Sequence, residues 1–155
     1  MLFQGLIENV GVDVRETILQ DWSWLIGVDK EVVAISVFGD AFLTDVSGSI
    51  FWLDTGNGCL EKVSNNFGEL LDYLDTDKGK NDLLLDWLQA ELASNGLQLR
   101  NDEIFSYKKL PIIGGKYEVD NFIRLSICEH FSVTASLHFQ LKDIPDGTIV
   151  RLNAL

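Results

Sequence analysis

Two segments, Lys109-Leu-Pro-Ile-Ile-Gly-Gly-Lys-Tyr-Glu-Val-Asp-Asn121 and Leu141-Lys-Asp-Ile-Pro-Asp-Gly147, constrain the backbone more tightly than any other part of this chain. They hold both of its prolines, Pro111 and Pro145, beside Gly114-Gly115 and Gly147. Proline fixes φ and glycine opens positive φ, so these segments demand particular turns rather than a long helix or strand. Neither carries a nucleophile, a metal-ligand set or a phosphate loop. The chain specifies shape here and hardly any chemistry.

At 155 residues with 46% apolar composition, nine Phe and four Trp, the chain has enough apolar surface for one domain over residues 1–155 with its own core. Its strong deviation is charge: 24 acidic against 12 basic residues, a net −12. A nucleic-acid binder needs a basic footprint that releases counterions from phosphate, and none is present, so direct nucleic-acid binding is excluded as a reading. Acidity serves solubility, and it can also steer a basic partner inward. The acid is concentrated early: Glu8, Asp13, Glu16, Asp21, Asp29, Glu31, Asp40, Asp45 and Asp54 face only Arg15 and Lys30. Later, Lys108, Lys109 and Lys116 form a small basic island. No basic leader with an apolar run opens the sequence and no apolar run approaches about 18 residues, so the expectation is a cytoplasmic protein with no membrane segment. Cys59 and Cys128 lack CxxC spacing and read as buried small hydrophobes in a reducing compartment; their proximity is left open.

Hydrophobic periodicity predicts an α+β fold, an antiparallel meander in the first half packed against two to four helices. Residues 15–26 place Ile18, Leu19, Trp22, Leu25 and Ile26 at helical intervals, with Gly27 as the stop. Trp22 and Trp24 are two apart and cannot share one helix face, so one should be the more exposed. Val32–Phe38 reads as a buried strand, and Phe42–Val46 and Ser49–Asp54 as a hairpin through Ser47-Gly48. Asn57-Gly58 then turns the chain into a strand over Cys59–Val63. Alternation should put Trp52 on one face and Phe51 and Leu53 on the other.

A helix capped from Ser64-Asn-Asn should bury Phe67, Leu70, Leu71 and Leu74, and a second should run from Asn81 to Ala93. Residues 97–120 read as irregular, 121–128 as a half-exposed strand, Ser132–Lys142 as a helix capped by Ser132, and Thr148–Leu152 as a last short strand.

The chemistry-bearing residues are sparse. His130 and His138 are eight apart, about 12 Å along one helix, too far to share a metal, and each reads as a packed, hydrogen-bonded histidine. No GxSxG elbow, GxGxxG loop or GKS/T motif occurs, so neither an enzyme nor a cofactor or metal is expected. Asp40, Asp45 and Asp54 fall at strand ends, where aspartate commonly bonds its own backbone.

Several segments in order resemble a bacterial family: Asp21-Trp-Ser-Trp-Leu25, Phe38-Gly-Asp40 with Phe42, Phe51-Trp-Leu-Asp54, Phe105, Leu110-Pro111, Gly114-Gly-Lys-Tyr117, Asp120-Asn121, Glu129-His-Phe131 and Gln140-Leu-Lys-Asp-Ile-Pro-Asp-Gly147. It is the C-terminal domain family of the type VI secretion immunity protein Tdi1, formerly a domain of unknown function, and more distantly the SMI1/KNR4-like immunity folds. The resemblance implies a cytoplasmic protein that neutralises a cognate secreted toxin, a basic nuclease in the first place, by direct contact. The named family protein carries an additional N-terminal GAD-like domain for which these 155 residues leave no room. The contact candidates are the acids Asp40, Asp45 and Asp54, the aromatic Trp52, and Lys116 and Tyr117 of the glycine loop. Pro111, Gly114, Gly115, Asp120, Asn121, Pro145 and Gly147 are expected to shape turns. The alternatives are a regulatory or scaffold domain of the same fold and a small-molecule-binding protein.

Overall fold

The turn signals at Gly39-Asp40, Ser47-Gly48 and Asn57-Gly58 fold the first half into successive hairpins. The computed structural model, which describes residues 3–151, pairs β1 (Leu6–Ile7), β2 (Glu31–Ser36), β3 (Ala41–Thr44), β4 (Ile50–Asp54) and β5 (Cys59–Ser64) as one antiparallel sheet in chain order. Phe42 lies opposite Trp52 and Leu53 opposite Leu60. A register shift between Val32 and Ala34 lets Val32 and Ile35, three apart, join the same cluster, because a bulge resets the two-residue alternation.

Helices cover both faces. The helices α1 (Val12–Asp21), α2 (Ser23–Ile26) and α6 (Ile127–Leu141) bring Val14, Ile18, Trp22, Ile26, Phe131 and Ala135 against Ile35, Leu43 and Leu53. On the opposite face, α3 (Phe67–Leu74) and a π-helical turn, Lys80–Leu84, put Leu70, Leu74, Leu83 and Leu84 against Ala34, Phe42 and Ile50. The short α4 (Asp77–Gly79) links these two. Trp52 packs with the second cluster and Leu53 with the first, as the alternation requires. A third cluster joins α5 (Asp86–Ser94) through Leu88 and Leu92 to Phe38 and to a two-stranded sheet, β6 (Glu103–Tyr107) with β7 (Phe122–Ser126).

Five elements differ from the sequence reading. The helix expected over 15–26 starts at Val12 and breaks at Trp22, whose indole Nε1 donates to Phe131 O at 3.0 Å. The break turns Trp22 into the core, fully buried, while Trp24 stacks on it at 5.6 Å and is only half-buried. Residues 97–120 are not wholly irregular, since β6 forms there. Its partner β7 follows after a long loop, and Phe105 N donates to Val37 O at 2.7 Å, so long-range pairing rather than local pattern makes the strand.

The last helix begins at Ile127, not after Ser132. Ser126 caps it by accepting from Glu129 N at 3.2 Å, the first half of a Ser-x-x-Glu box, and Ser132 instead bonds the Asp21 carboxylate. The expected helix 81–93 is split where Leu85 takes φ +47°, between the π-helical turn and α5. Residues 148–151 form no strand, and Leu152 lies outside the described residues. Cys59 is exposed and Cys128 half-buried, both free thiols, which corrects the expectation that both are buried. Among the described residues no helix is long and apolar enough to cross a membrane.

Candidate functional site

The end of β4 is where the molecule concentrates its buried polar groups, and Thr55 is the hub. Its backbone N–H donates to Asp40 Oδ1 at 2.9 Å, and its carbonyl accepts from His138 Nε2 at 2.7 Å. Its hydroxyl lies 2.8 Å from Gly39 O, 3.2 Å from Asp40 Oδ1 and 3.0 Å from His130 Nε2. His130 Nε2 is also 2.9 Å from Gly39 O, and its Nδ1 is 2.7 Å from Ser106 Oγ. One tautomer satisfies every contact: Nε2–H donates to Gly39 O and the Thr55 oxygen, and Nδ1 accepts from Ser106. Burial holds the His130 ring down at about 4, so it is neutral near pH 7, and burial lowers His138 as well. The two histidines therefore share a residue, not a metal. Their eight-residue spacing puts both on one side of α6, each aimed at a different atom of Thr55.

The row Ser106–His130–Thr55–Asp40 superficially resembles a nucleophile–base–acid series. Its carboxylate does not touch the imidazole, which meets the Thr55 hydroxyl instead, and Ser106 is only 4% exposed. A serine nucleophile needs an imidazole oriented by the acid and an open path to substrate. This row instead locks α6 and β6 to the end of the meander.

Above the hub opens a cleft of about 260 Å³ lined by Asp40, Trp52, Asp54, Asp82, Tyr107 and Tyr117, together with Asn81, Leu83 and Leu85. Asp40, 6% exposed, accepts from Trp52 Nε1 at 3.2 Å through its second oxygen. Burial first, and the Asp54 charge second, push its carboxyl well above the ordinary range, against the pull of its Thr55 and Trp52 donors. Asp54 accepts from Gly56 N and Asn57 N at 3.0 and 3.1 Å, an Asx turn, and from Asn57 Nδ2 at 2.9 Å. Asn57 Nδ2 also reaches Tyr117 Oη at 3.4 Å. Tyr107 and Tyr117 meet edge to face at 6.2 Å. Burial, then the Asp54 and Asp40 charges, raise the Tyr117 phenol to about 12, and burial, then the Asp40 charge, raises Tyr107 well above its ordinary value, so both phenols stay protonated near pH 7.

The cleft's far wall is irregular backbone: the π-helical turn supplies Asn81, Asp82 and Leu83, and Leu85 is held in the left-handed region. Such irregularities cost free energy and cluster where a surface is shaped for use.

The structure thus brings together four of the six contact candidates, Asp40, Trp52, Asp54 and Tyr117. Asp45 is at the opposite end of the β3–β4 hairpin, about 13 Å of strand away. There its Oδ1 accepts from Ser47 N, Ser47 Oγ and Ser49 N, and these bonds, the Ser47 hydroxyl foremost, lower its carboxyl. Lys116 is exposed beside Tyr117 but does not line the cleft. Thr55, Asp82 and Tyr107 escaped sequence reasoning. Only the Asp-Thr-Gly turn after β4 hinted at Thr55, and nothing local pointed to Tyr107.

The motif residues shape the loop between β6 and β7. Asn121 closes it: Nδ2 donates to Lys109 O and Lys116 O, and Oδ1 accepts from Lys109 N, all at 2.9 Å. Pro111 opens a 3-10 turn. At Gly115 a side chain would begin 1.9 Å from Lys109 O, so the close approach of backbones demands glycine. Asp120 and Pro145 are exposed, and Gly147 takes φ +81° in the turn after α6.

Residues 64–138 match the family model of the T6SS immunity protein Tdi1, C-terminal. This stretch of the chain is similar to that family. The match takes in α3 through His138 of α6, and with it Asp82, Tyr107, Tyr117 and His130; the meander that carries Asp40, Trp52 and Asp54 precedes it. No curated protein matches the sequence. Among solved structures, the crystal structure of Atu4351 from Agrobacterium tumefaciens shares the fold with a TM-score of 0.57 at 16% identity, over 78% of this chain. This chain spans 63% of that one.

Proposed function

We propose that this protein is a member of the Tdi1 family and acts in the cytoplasm as an immunity protein, neutralising a cognate type VI secretion toxin by direct contact rather than by catalysis. The family match over residues 64–138 carries the reading. Net charge supports it: at −12 the chain attracts a basic protein, and a nuclease is commonly basic around its substrate groove. We propose the acidic, aromatic cleft at the end of β4 as the contact surface, since it gathers three carboxylates and three aromatic rings. The test is capture of the toxin on the tagged protein in its native host, eluted at stepped salt, followed by co-expression of toxin and protein. A basic effector released at high salt, whose toxicity the co-expressed protein relieves, is the expected outcome. Failure to capture or protect against an expressed neighbouring effector would sink the immunity reading.

A further inference from the structure

We propose that the cleft is a socket for a single arginine side chain of the protein partner, its guanidinium entering between Trp52, Tyr107 and Tyr117 above Asp40 and Asp54. This rests on the toxin-binding reading and names the chemistry of its central contact.

The case starts with charge that lacks a counterpart. Four ion pairs occur among the described residues, and none involves Asp40 or Asp54. Asp82, the third acid at the rim, is already engaged by Lys78 and by the Tyr73 hydroxyl at 2.8 Å. A deeply buried carboxylate beside a second carboxylate is an unfavourable arrangement that an incoming cation relieves twice over. Neutral donors hold the acids in place meanwhile: Trp52 and Thr55 on Asp40, Asn57 and two backbone amides on Asp54. The socket is consequently rigid before anything enters it.

The walls choose among cations. A metal ion would need converging oxygen or nitrogen ligands, and no group of three His, Cys, Asp or Glu able to hold one occurs among the described residues. An ammonium is compact and strongly hydrated, and gives up water reluctantly to an aromatic wall. A guanidinium is planar and weakly hydrated, stacks on aromatic faces and forks its donors between two carboxylates, which is what Trp52, the paired tyrosines and the two aspartates offer. Size agrees: about 260 Å³ falls below the range of ~300–1,000 Å³ usual for a drug-sized ligand and suits one side chain. The chain that carries the arginine has somewhere to lie, because a shallower depression of about 440 Å³ continues from Trp52, Asp82 and Leu83 to Glu61, Val63 and Tyr73.

Agmatine, a free guanidinium on a short stem, serves as the probe, with butylamine as the ammonium counterpart. Both are titrated into the full chain while the indole and tyrosine ring resonances are followed by NMR. Agmatine should saturate in the millimolar range with shifts centred on Trp52, Tyr107 and Tyr117, several-fold more tightly than butylamine. Asp54→Asn, which keeps an acceptor for the turn, should weaken agmatine about fivefold, whereas Asp75→Asn, an exposed acid outside the cleft, should not. Equal binding of the two probes, or equal effects of the two variants, overturns the socket. Toxin capture by Asp54→Asn and Trp52→Leu at wild-type affinity also overturns it while leaving the immunity reading intact. Agmatine bound as described in a protein that captures no toxin does the reverse.

Discussion

Replacing Gly39 by alanine tests whether the buried histidine network, rather than general burial, holds the helical layer to the meander. Gly39 sits at φ +75°, and a Cβ there would lie 2.1 Å from His130 Nε2 and 2.4 Å from Cδ2. The left-handed backbone alone costs an alanine about 1–2 kcal/mol. The ring cannot swing aside cheaply, because Ser106 Oγ, Thr55 Oγ1 and Gly39 O fix it from both nitrogens and α6 fixes its backbone. Displacing it forfeits two or three buried hydrogen bonds at about 1 kcal/mol each. Gly39→Ala should therefore destabilise by about 3–5 kcal/mol, a large part of the ~5–15 kcal/mol of a typical domain. In a His130→Ala background the clash is gone and only the backbone strain remains, so the same substitution should cost about 1–2 kcal/mol. Urea unfolding of the four proteins, comparing midpoints at constant m, gives the coupling directly. A coupling below about 0.5 kcal/mol would mean that the two sites act independently and that the network argument is wrong.

Acid should weaken the fold through His130. Its native pKa of about 4 lies below its ordinary 6.5, so the ring's contribution is complete above pH 6.5 and is lost as pH falls toward 4, where the unfolded chain takes up a proton that the native ring refuses. That loss is about 3 kcal/mol. Asp40, raised in the native state, acts in the opposite sense, so the profile of wild type minus His130→Gln isolates the histidine; a flat difference between pH 4 and 6.5 refutes the assignment. Asn121→Leu removes three bonds that close the loop and should cost about 2–3 kcal/mol in chemical denaturation, with the loss of amide protection in hydrogen exchange confined first to the loop around residues 109–121. Association with a basic toxin should slow as salt rises, while the dissociation rate changes little; a salt-independent association rate in stopped flow removes the steering argument.

The meander was readable because its information is local. Each of its turns is written in the residues that make it, and period-two alternation fixes which side of the sheet Trp52 and Leu53 take. The helix starting at Ile127 was readable too, had Ser126-x-x-Glu129 been preferred over Ser132 as the cap. The glycine loop announced its own rigidity, although only the structure shows Asn121 as the residue that closes it. What could not be read was β6, which depends on a partner strand beyond a long loop and on a single bond to Val37. The split at Leu85 was equally hidden, since a left-handed leucine goes against its own preference and persists only where packing imposes it.

The candidate site divides along the same line. Composition alone makes the protein acidic, because charge and chemical inventory do not depend on folding. Which acids converge is a tertiary fact. Asp40 and Asp45 are both strand-end aspartates in the sequence, yet one is buried beneath an aromatic cleft and the other caps an exposed turn at the far end of the same hairpin. Thr55, silent in the sequence, becomes a hub only because α6 delivers two histidines to it from 75 and 83 residues away. Local pattern sets the meander and most of the helices, and composition the charge; burial and convergence, which arise from contacts between distant parts of the chain, decide which of those residues come together.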